Sequence, residues 1–360
     1  MVKENRQVSP FFAFYLIHSM QIGVGILGFE HYLVKSSGQD SWIAIIIPGL
    51  STSIIIWMSY QILNNGNGDI TIIHKELFGK WIGNILSLGF VIYLLAFMVT
   101  ITRTYVEVIQ VWMFPQLNTW YMVMILLALT YSFVTRGFRV VTGVAFFSVI
   151  FGLPLVLLKW FPLQEGSLTH LLPVMNHSVG EIFSGAKTMT LNYLGFETLF
   201  FFYPFIKTAK KSQKWAQTGH SFSILIYLIT GIVSLLYFSQ SQLKETIWAT
   251  LTLWKIIDLP FIERFEYAGI SIWLFVVLPN LCIIMWSTSW GVKQVTRIKQ
   301  RHGLVLLLGI TFIVCIMFSS RTQIDLLNTY TGVAGTIMVY LYIPFLYVFQ
   351  LIQSKVRGKK

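Results

Sequence analysis

The stretch SWIAIIIPGLSTSIIIWMSYQIL, residues 41–63, contains no Asp, Glu, Lys or Arg. A transmembrane helix needs about 20 consecutive apolar residues, and this run meets that length. Eight further runs share the property, at 8–29, 81–102, 118–135, 140–158, 221–243, 267–292, 303–320 and 326–354. A tenth, 182–206, is as apolar but holds Lys187 and Glu197. Backbone polar groups at lipid depth are satisfied only in helices or closed barrels, and these runs lack the alternation of barrel strands. The reading is an all-α integral membrane protein of ten spans, forming a single membrane domain over 1–360.

Composition agrees: 55% of the residues are hydrophobic and 11% charged, against roughly 25% charged in soluble domains. The run at 8–29 follows Lys3 and Arg6, but it is too long for a signal peptide and no small-x-small site follows it. It is read as helix one. Cys282 and Cys315 both fall inside spans, so neither a disulfide framework nor a Cys/His metal site is expected.

The net charge of +12 need not mean nucleic acid. With an internal N-terminus, 18 of the 26 basic residues fall in inner segments and 7 in outer ones, with Lys187 inside a span. That asymmetry follows the positive-inside rule, places both termini in the cytoplasm and accounts for the basicity without a polyanionic partner. The clusters at 207–214, 293–301 and 355–360 suit anionic membrane lipid. Trp42, Trp81, Trp112, Trp120, Trp160 and Trp290 sit near span ends, as an interfacial belt would.

Ten spans divide into two sets of five. Transporters built from five-plus-five inverted repeats interrupt helices one and six, and the interruptions point to a midplane binding site. Helix one carries MQIGVGILGF with Gly23, Gly25 and Gly28, and helix six carries TLNYLGFETLFF with Asn192, Gly195 and Glu197. Gly23 to Gly28 also spells G-x-G-x-x-G, but that fingerprint requires a soluble βαβ unit, so the match is false. In a membrane helix such glycines either unwind the chain, freeing N–H groups for an anion such as a carboxylate, or simply pack closely. The paired irregularity in helix six favours unwinding.

Glu197 is costly in hydrocarbon and marks either a functional site or a structural hydrogen-bonded carboxyl. Lys187 lies ten residues earlier, roughly 15 Å along a continuous helix, so the two cannot pair. Arg103 and Glu107 have the i, i+4 spacing of a mutual ion pair, with an outer gate as the alternative. His18, just before the glycines, reads as a satisfied core histidine. Of the longer gaps, 159–181 carries His170 and His177, read as loop residues. In 244–266, Ile247, Leu251 and Trp254 have the spacing of a helix lying on the membrane surface, or of a lid over an outward vestibule. No nucleophile elbow, H-E-x-x-H, Walker A motif or catalytic carboxylate pair lies in a water-accessible segment, which argues against an enzyme.

Several segments together resemble a known family: GQDSW at 38–42, GKWIGNILSLGFVIYLL at 79–95, LPV at 172–174, LGFETLFFFYPFIK in helix six before a basic loop, and FIERFE at 261–266. The chain is similar to B subunits of nutrient germinant receptors, the spore germination permease family of the amino acid/polyamine/organocation superfamily. That resemblance implies residence in the inner membrane of the dormant spore and a complex with an A subunit and a lipoprotein C subunit. It implies recognition of a small nutrient germinant, typically an amino acid, with no cofactor. Carried onto this chain, the ligand-binding residues are Gly23, Gly25, Gly28, Asn192, Gly195, Phe196 and Glu197. Phe29-Glu30 stands where family members often have Leu-Pro. An amino acid permease is the alternative that the same pocket would serve, and a membrane scaffold without a ligand is a third.

Overall fold

The computed structural model describes residues 3–357. Lys359 and Lys360, at the end of the last basic cluster, lie outside the described residues. Among the described residues the chain is helical throughout, with only two isolated β-bridges, Val8 to Ile206 and Leu259 to Ile262. The helices are α1 (Phe12–Gln21), α2 (Phe29–Ser37), α3 (Ser41–Asn65), α4 (Ile70–Trp112), α5 (Thr119–Val134), α6 (Phe138–Leu157), α7 (Trp160–Gln164) and α8 (Val179–Tyr193). They continue with α9 (Leu199–Phe202), α10 (Gln213–Tyr237), α11 (Gln240–Glu245), α12 (Ala249–Trp254), α13 (Phe265–Thr296), α14 (Gln300–Met317), α15 (Arg321–Ile337) and α16 (Ile343–Arg357).

Among the described residues, seven helical stretches are long and apolar enough to cross a bilayer: Phe29–Asn65, Ile70–Trp112, Phe138–Gln164, Ala209–Tyr237, Phe265–Thr296, Gln300–Met317 and Arg321–Val356. The chain is an integral membrane protein by this measure. The apolar helix Thr119–Val134 is shorter. The remaining two runs expected as spans are broken in the structure. The first gives α1, a 3-10 turn at Val24–Leu27 and then α2, which carries on to Ser37 rather than ending near residue 29. The run expected at 182–206 gives α8, which starts earlier at Val179, then a 3-10 turn at Phe196–Thr198 and α9.

Helix starts follow local chemistry. Ser178, Ser239 and Ser320 each form a capping box with the Glu or Gln three residues on, opening α8, α11 and α15. Each box satisfies backbone N–H groups that the first turn leaves without partners. Asp69 caps α4 through the N–H groups of Thr71 and Ile72, and its second oxygen accepts from Trp290 Nε1 at 2.8 Å. Trp290 is therefore half-buried and stacked on Trp286, while Trp81, Trp120 and Trp160 are exposed as a belt requires.

The central pillar is α13, which packs against α4, α6, α14 and α5. On the other side α10 crosses α1 and α3, and α8 packs on α2 and α3. The crossing of α10 and α1 is close: a Cβ on Gly219 would lie 2.4 Å from the carbonyl oxygen of Phe14. Small residues at such crossings permit the backbone approach that holds membrane helices together. The short α9 is wholly buried, with Phe200, Phe201 and Phe202 at 0% exposure. Its far end is tied to the start of the chain, since Val8 N–H donates to the Phe205 carbonyl and Lys207 N–H to the Val8 carbonyl, both at 2.8 Å.

In the segment 244–266, Ile247 is exposed but the rest of the expected lipid-facing stripe is turned inward. Leu251 and Trp254 of α12 are buried against α13 and the turn at Val24–Leu27. The segment thus covers the break in helix one. The two loop histidines are also held: His177 accompanies the N–H groups of Met175, Asn176 and His177 around the carboxylate of Asp40, and His170 Nδ1 lies 2.9 Å from the Leu236 carbonyl.

Candidate functional site

Breaking a helix leaves carbonyls without intrahelical donors, and at the end of α1 side chains replace them. Asn280 Nδ2 donates to the carbonyls of Ser19 (2.6 Å) and Met20 (3.3 Å), Tyr227 Oη to that of Gln21 (2.7 Å), and Trp273 Nε1 to that of Gly23 (3.2 Å). Gln21 then crosses to the second break, its Nε2 donating to the Tyr193 carbonyl at 3.0 Å. Its Oε1 lies 3.0 Å from His220 Nδ1, and His220 Nε2 is 2.7 Å from the Gly49 carbonyl. His18 is buried beside Ser223 Oγ, 2.9 Å from its Nδ1.

At the second break Gly195 has φ +99°, a left-handed conformation that glycine adopts without steric cost. Glu197 holds it there. Its Oε2 accepts from the Gly195 N–H and its Oε1 from Tyr93 Oη at 2.8 Å. Phe196 and Glu197 are both at 0% exposure.

Beside the break in helix one lies a cavity of about 460 Å³, within the range of sites for small organic ligands. One wall is the break itself, with Gly23, Val24, Gly25, Gly28 and Phe29. A second is the face of α8 with Ser184, Lys187, Thr188, Leu191 and Asn192. A third is α4, with Phe97, Thr100, Ile101 and Thr104. The fourth is α15, with Arg321, Asp325, Asn328, Thr329, Gly332, Val333 and Thr336. Gly25 faces Asn192 so closely that a Cβ would lie 2.2 Å from Asn192 Oδ1. Of the residues singled out from the sequence, Gly23, Gly25, Gly28 and Asn192 therefore meet at the cavity. Gly195, Phe196 and Glu197 are not among its lining residues; they belong to the packing that shapes the second break.

An ion network stands at the start of the α15 wall of the cavity. Arg321 pairs with Glu107 at 2.8 Å and with Asp325 at 2.9 Å. Tyr32 of α2 donates to Asp325 at 2.9 Å, and the Arg321 guanidinium lies 5.3 Å from the ring centre of Trp248, in the covering segment. The expected pairing of Arg103 with Glu107 is replaced. Arg103 instead donates to the Phe318 carbonyl at 2.6 Å and to Gln110 at 3.3 Å, because the turn before α15 brings a better-placed guanidinium to Glu107. Behind the break, Glu30 is buried and accepts from Ser234 and Thr250, each at 2.9 Å, while Lys159 Nζ reaches the same Thr250 hydroxyl at 3.2 Å.

A model of the spore germination protein family matches residues 7–324. The chain belongs to the spore germination protein family. It is 42% identical over 351 residues to spore germination protein GerQB of Bacillus cereus, covering 98% of each chain. It is 24% identical to spore germination protein B2 of Bacillus subtilis strain 168, over 96% of this chain and 95% of the relative. Spore germination protein A2 of the same strain is 23% identical, over 93% and 92%. Within this family member, the α15 wall and Asn280 were not anticipated from the sequence. The signal for α15 was present: Arg321, Asp325, Asn328, Thr329, Gly332 and Thr336 recur at three- and four-residue spacing, one face of a helix.

Proposed function

We propose that this chain is the nutrient-sensing membrane subunit of a germinant receptor. It binds a small polar germinant, with amino acids as the first class to test, in the cavity at the break of helix one. It passes the signal to partner subunits of the A type and the lipoprotein C type. The observation that carries this reading is the cavity itself, walled by Gly23, Gly25, Gly28 and Asn192, in a chain of a germination family. Binding rather than catalysis is its task, and no nucleic acid takes part.

Counting Thr119–Val134, α1 with its 3-10 turn, and the interrupted segment of α8 and α9 with the seven long helices, the first of which already includes α2, brings the spans to ten. We read these as one membrane domain of the five-plus-five inverted-repeat type, resident in the spore inner membrane with both termini cytoplasmic. The interruption of the first and sixth spans is what supports that reading.

The test is a germination screen across amino acids, sugars and nucleosides in spores whose only receptor contains this chain. A saturable response abolished by deleting the chain supports the proposal, and no response to any of them refutes it. The same cavity would also serve an amino acid permease. Uptake of labelled amino acid by proteoliposomes of the isolated chain separates the two: coupled, concentrative uptake overturns the pure sensor.

A further inference from the structure

Three charged residues line the cavity: Lys187, Arg321 and Asp325. Arg321 is shared between the carboxylates of Asp325 and Glu107. Lys187 is different. Among the described residues it has no ion-pair partner, and its side chain is exposed on the α8 wall of the cavity. It lies eight residues after Val179, about 12 Å along α8 at roughly 1.5 Å per residue, on the stretch of that helix that faces the cavity. An ammonium that opens onto a cavity with no carboxylate paired to it is free to meet an anionic group of a ligand. Around it the walls offer neutral polar groups: Ser184 and Thr188 on α8, Asn328 and Thr329 on α15.

We propose that Lys187 is the anion-recognising residue of this cavity, and that the germinant carries a carboxylate that pairs with its ammonium. The inference rests on the germinant-binding reading above and narrows its ligand to an anion-bearing nutrient. Its orientation follows from the geometry. The carboxylate lies on the α8 wall, and the rest of the molecule extends toward Asn192 and the glycines of the break. The break then receives the uncharged or donor end of the ligand rather than its acid group.

The test uses spores whose only nutrient receptor contains this chain, with dose–response curves for the protein L-amino acids, their carboxamides, glucose, fructose and the ribonucleosides. For an active amino acid, Lys187→Gln should raise the half-maximal concentration by about tenfold or more, since a hydrogen bond to a charged group is worth that factor. The response to the matching carboxamide should be unchanged by the substitution, and Lys187→Arg should keep most of the wild-type sensitivity. Receptor abundance should not change, because the side chain is exposed and makes no structural bond. An equal rise for acid and carboxamide would mean a structural role and overturn the proposal. A neutral sugar or nucleoside as the active germinant would overturn it too, while leaving the sensor reading intact. A Lys187→Gln receptor that responds normally but loses co-purified anionic phospholipid would assign the lysine to lipid instead. Silence toward every compound would refute the sensor reading itself.

Discussion

Glu197 is a fully buried carboxyl in an interrupted apolar segment, and the structure makes its substitution a sharp test. Both carboxylate oxygens are taken, one by Tyr93 Oη and one by the Gly195 N–H, and the residue is fully buried. Glu197→Ala leaves two buried donors without acceptors. Each orphaned donor costs about 1–3 kcal/mol, so the change removes about 2–6 kcal/mol from a fold whose net stability is of order 5–15 kcal/mol. Glu197→Gln keeps one acceptor oxygen and turns an amide nitrogen toward the other donor, so its cost is nearer 1–3 kcal/mol. The assay is paired: abundance of the chain in spore membranes by immunoblot, and the germinant dose response of the same spores. Abundance should fall steeply in the alanine variant and moderately in the glutamine variant, while the surviving receptors keep their half-maximal concentration. Normal abundance with a tenfold or larger shift in sensitivity would refute this reasoning and bring Glu197 into contact with the ligand.

Other expectations follow from the same geometry. Gly28→Ala places a Cβ 2.2 Å from the Ile247 carbonyl oxygen and 3.0 Å from the Trp248 ring; overpacking of this kind costs about 1–3 kcal/mol, so thermal unfolding of the purified receptor should move to lower temperature. Arg321→Met leaves Glu107 buried without its bonded guanidinium, a loss of up to about 3–5 kcal/mol for a buried pair, whereas the double variant with Glu107→Leu should recover part of the lost abundance. For topology, single cysteines near Lys211 and Lys299 should label only from the cytoplasmic side, and those near Gln164 and Lys255 only from outside; the reverse pattern at Gln164 would overturn the orientation.

The seven long apolar helices were legible because a charge-free run of membrane length is too apolar to be covered by water on any face, and the breaks were legible because Gly23, Gly25, Gly28 and Gly195 interrupt two apolar runs. What the sequence could not show was which partner each polar group takes. Arg103 and Glu107 have the spacing of a helical pair, yet Glu107 is bonded to Arg321, 214 residues away, because tertiary approach outweighs a local option worth a few tenths of a kcal/mol. Glu197 announced its cost but not its purpose: only the fold shows its carboxylate closing on the N–H two residues back and on a tyrosine of α4. The covering segment misled for a related reason. Leu251 and Trp254 do share a helical face, but that face meets α13 instead of lipid, and periodicity alone does not distinguish the two apolar surroundings. Asn280 was hidden as one amide in an apolar run, with its purpose set by carbonyls of a distant broken helix.

The central claim is that the germinant occupies the cavity beside the break of helix one. Thr188 lines that cavity with an exposed side chain, and the two native cysteines, Cys282 and Cys315, are buried. A Thr188→Cys receptor can therefore be labelled at one position by a membrane-impermeant thiol reagent applied to the purified complex. The measurement is the labelling rate with and without the compound that triggers germination through this receptor. Slowing of the reaction, half-maximal at the concentration that half-saturates germination, is the predicted result; equal rates at saturating germinant would contradict it.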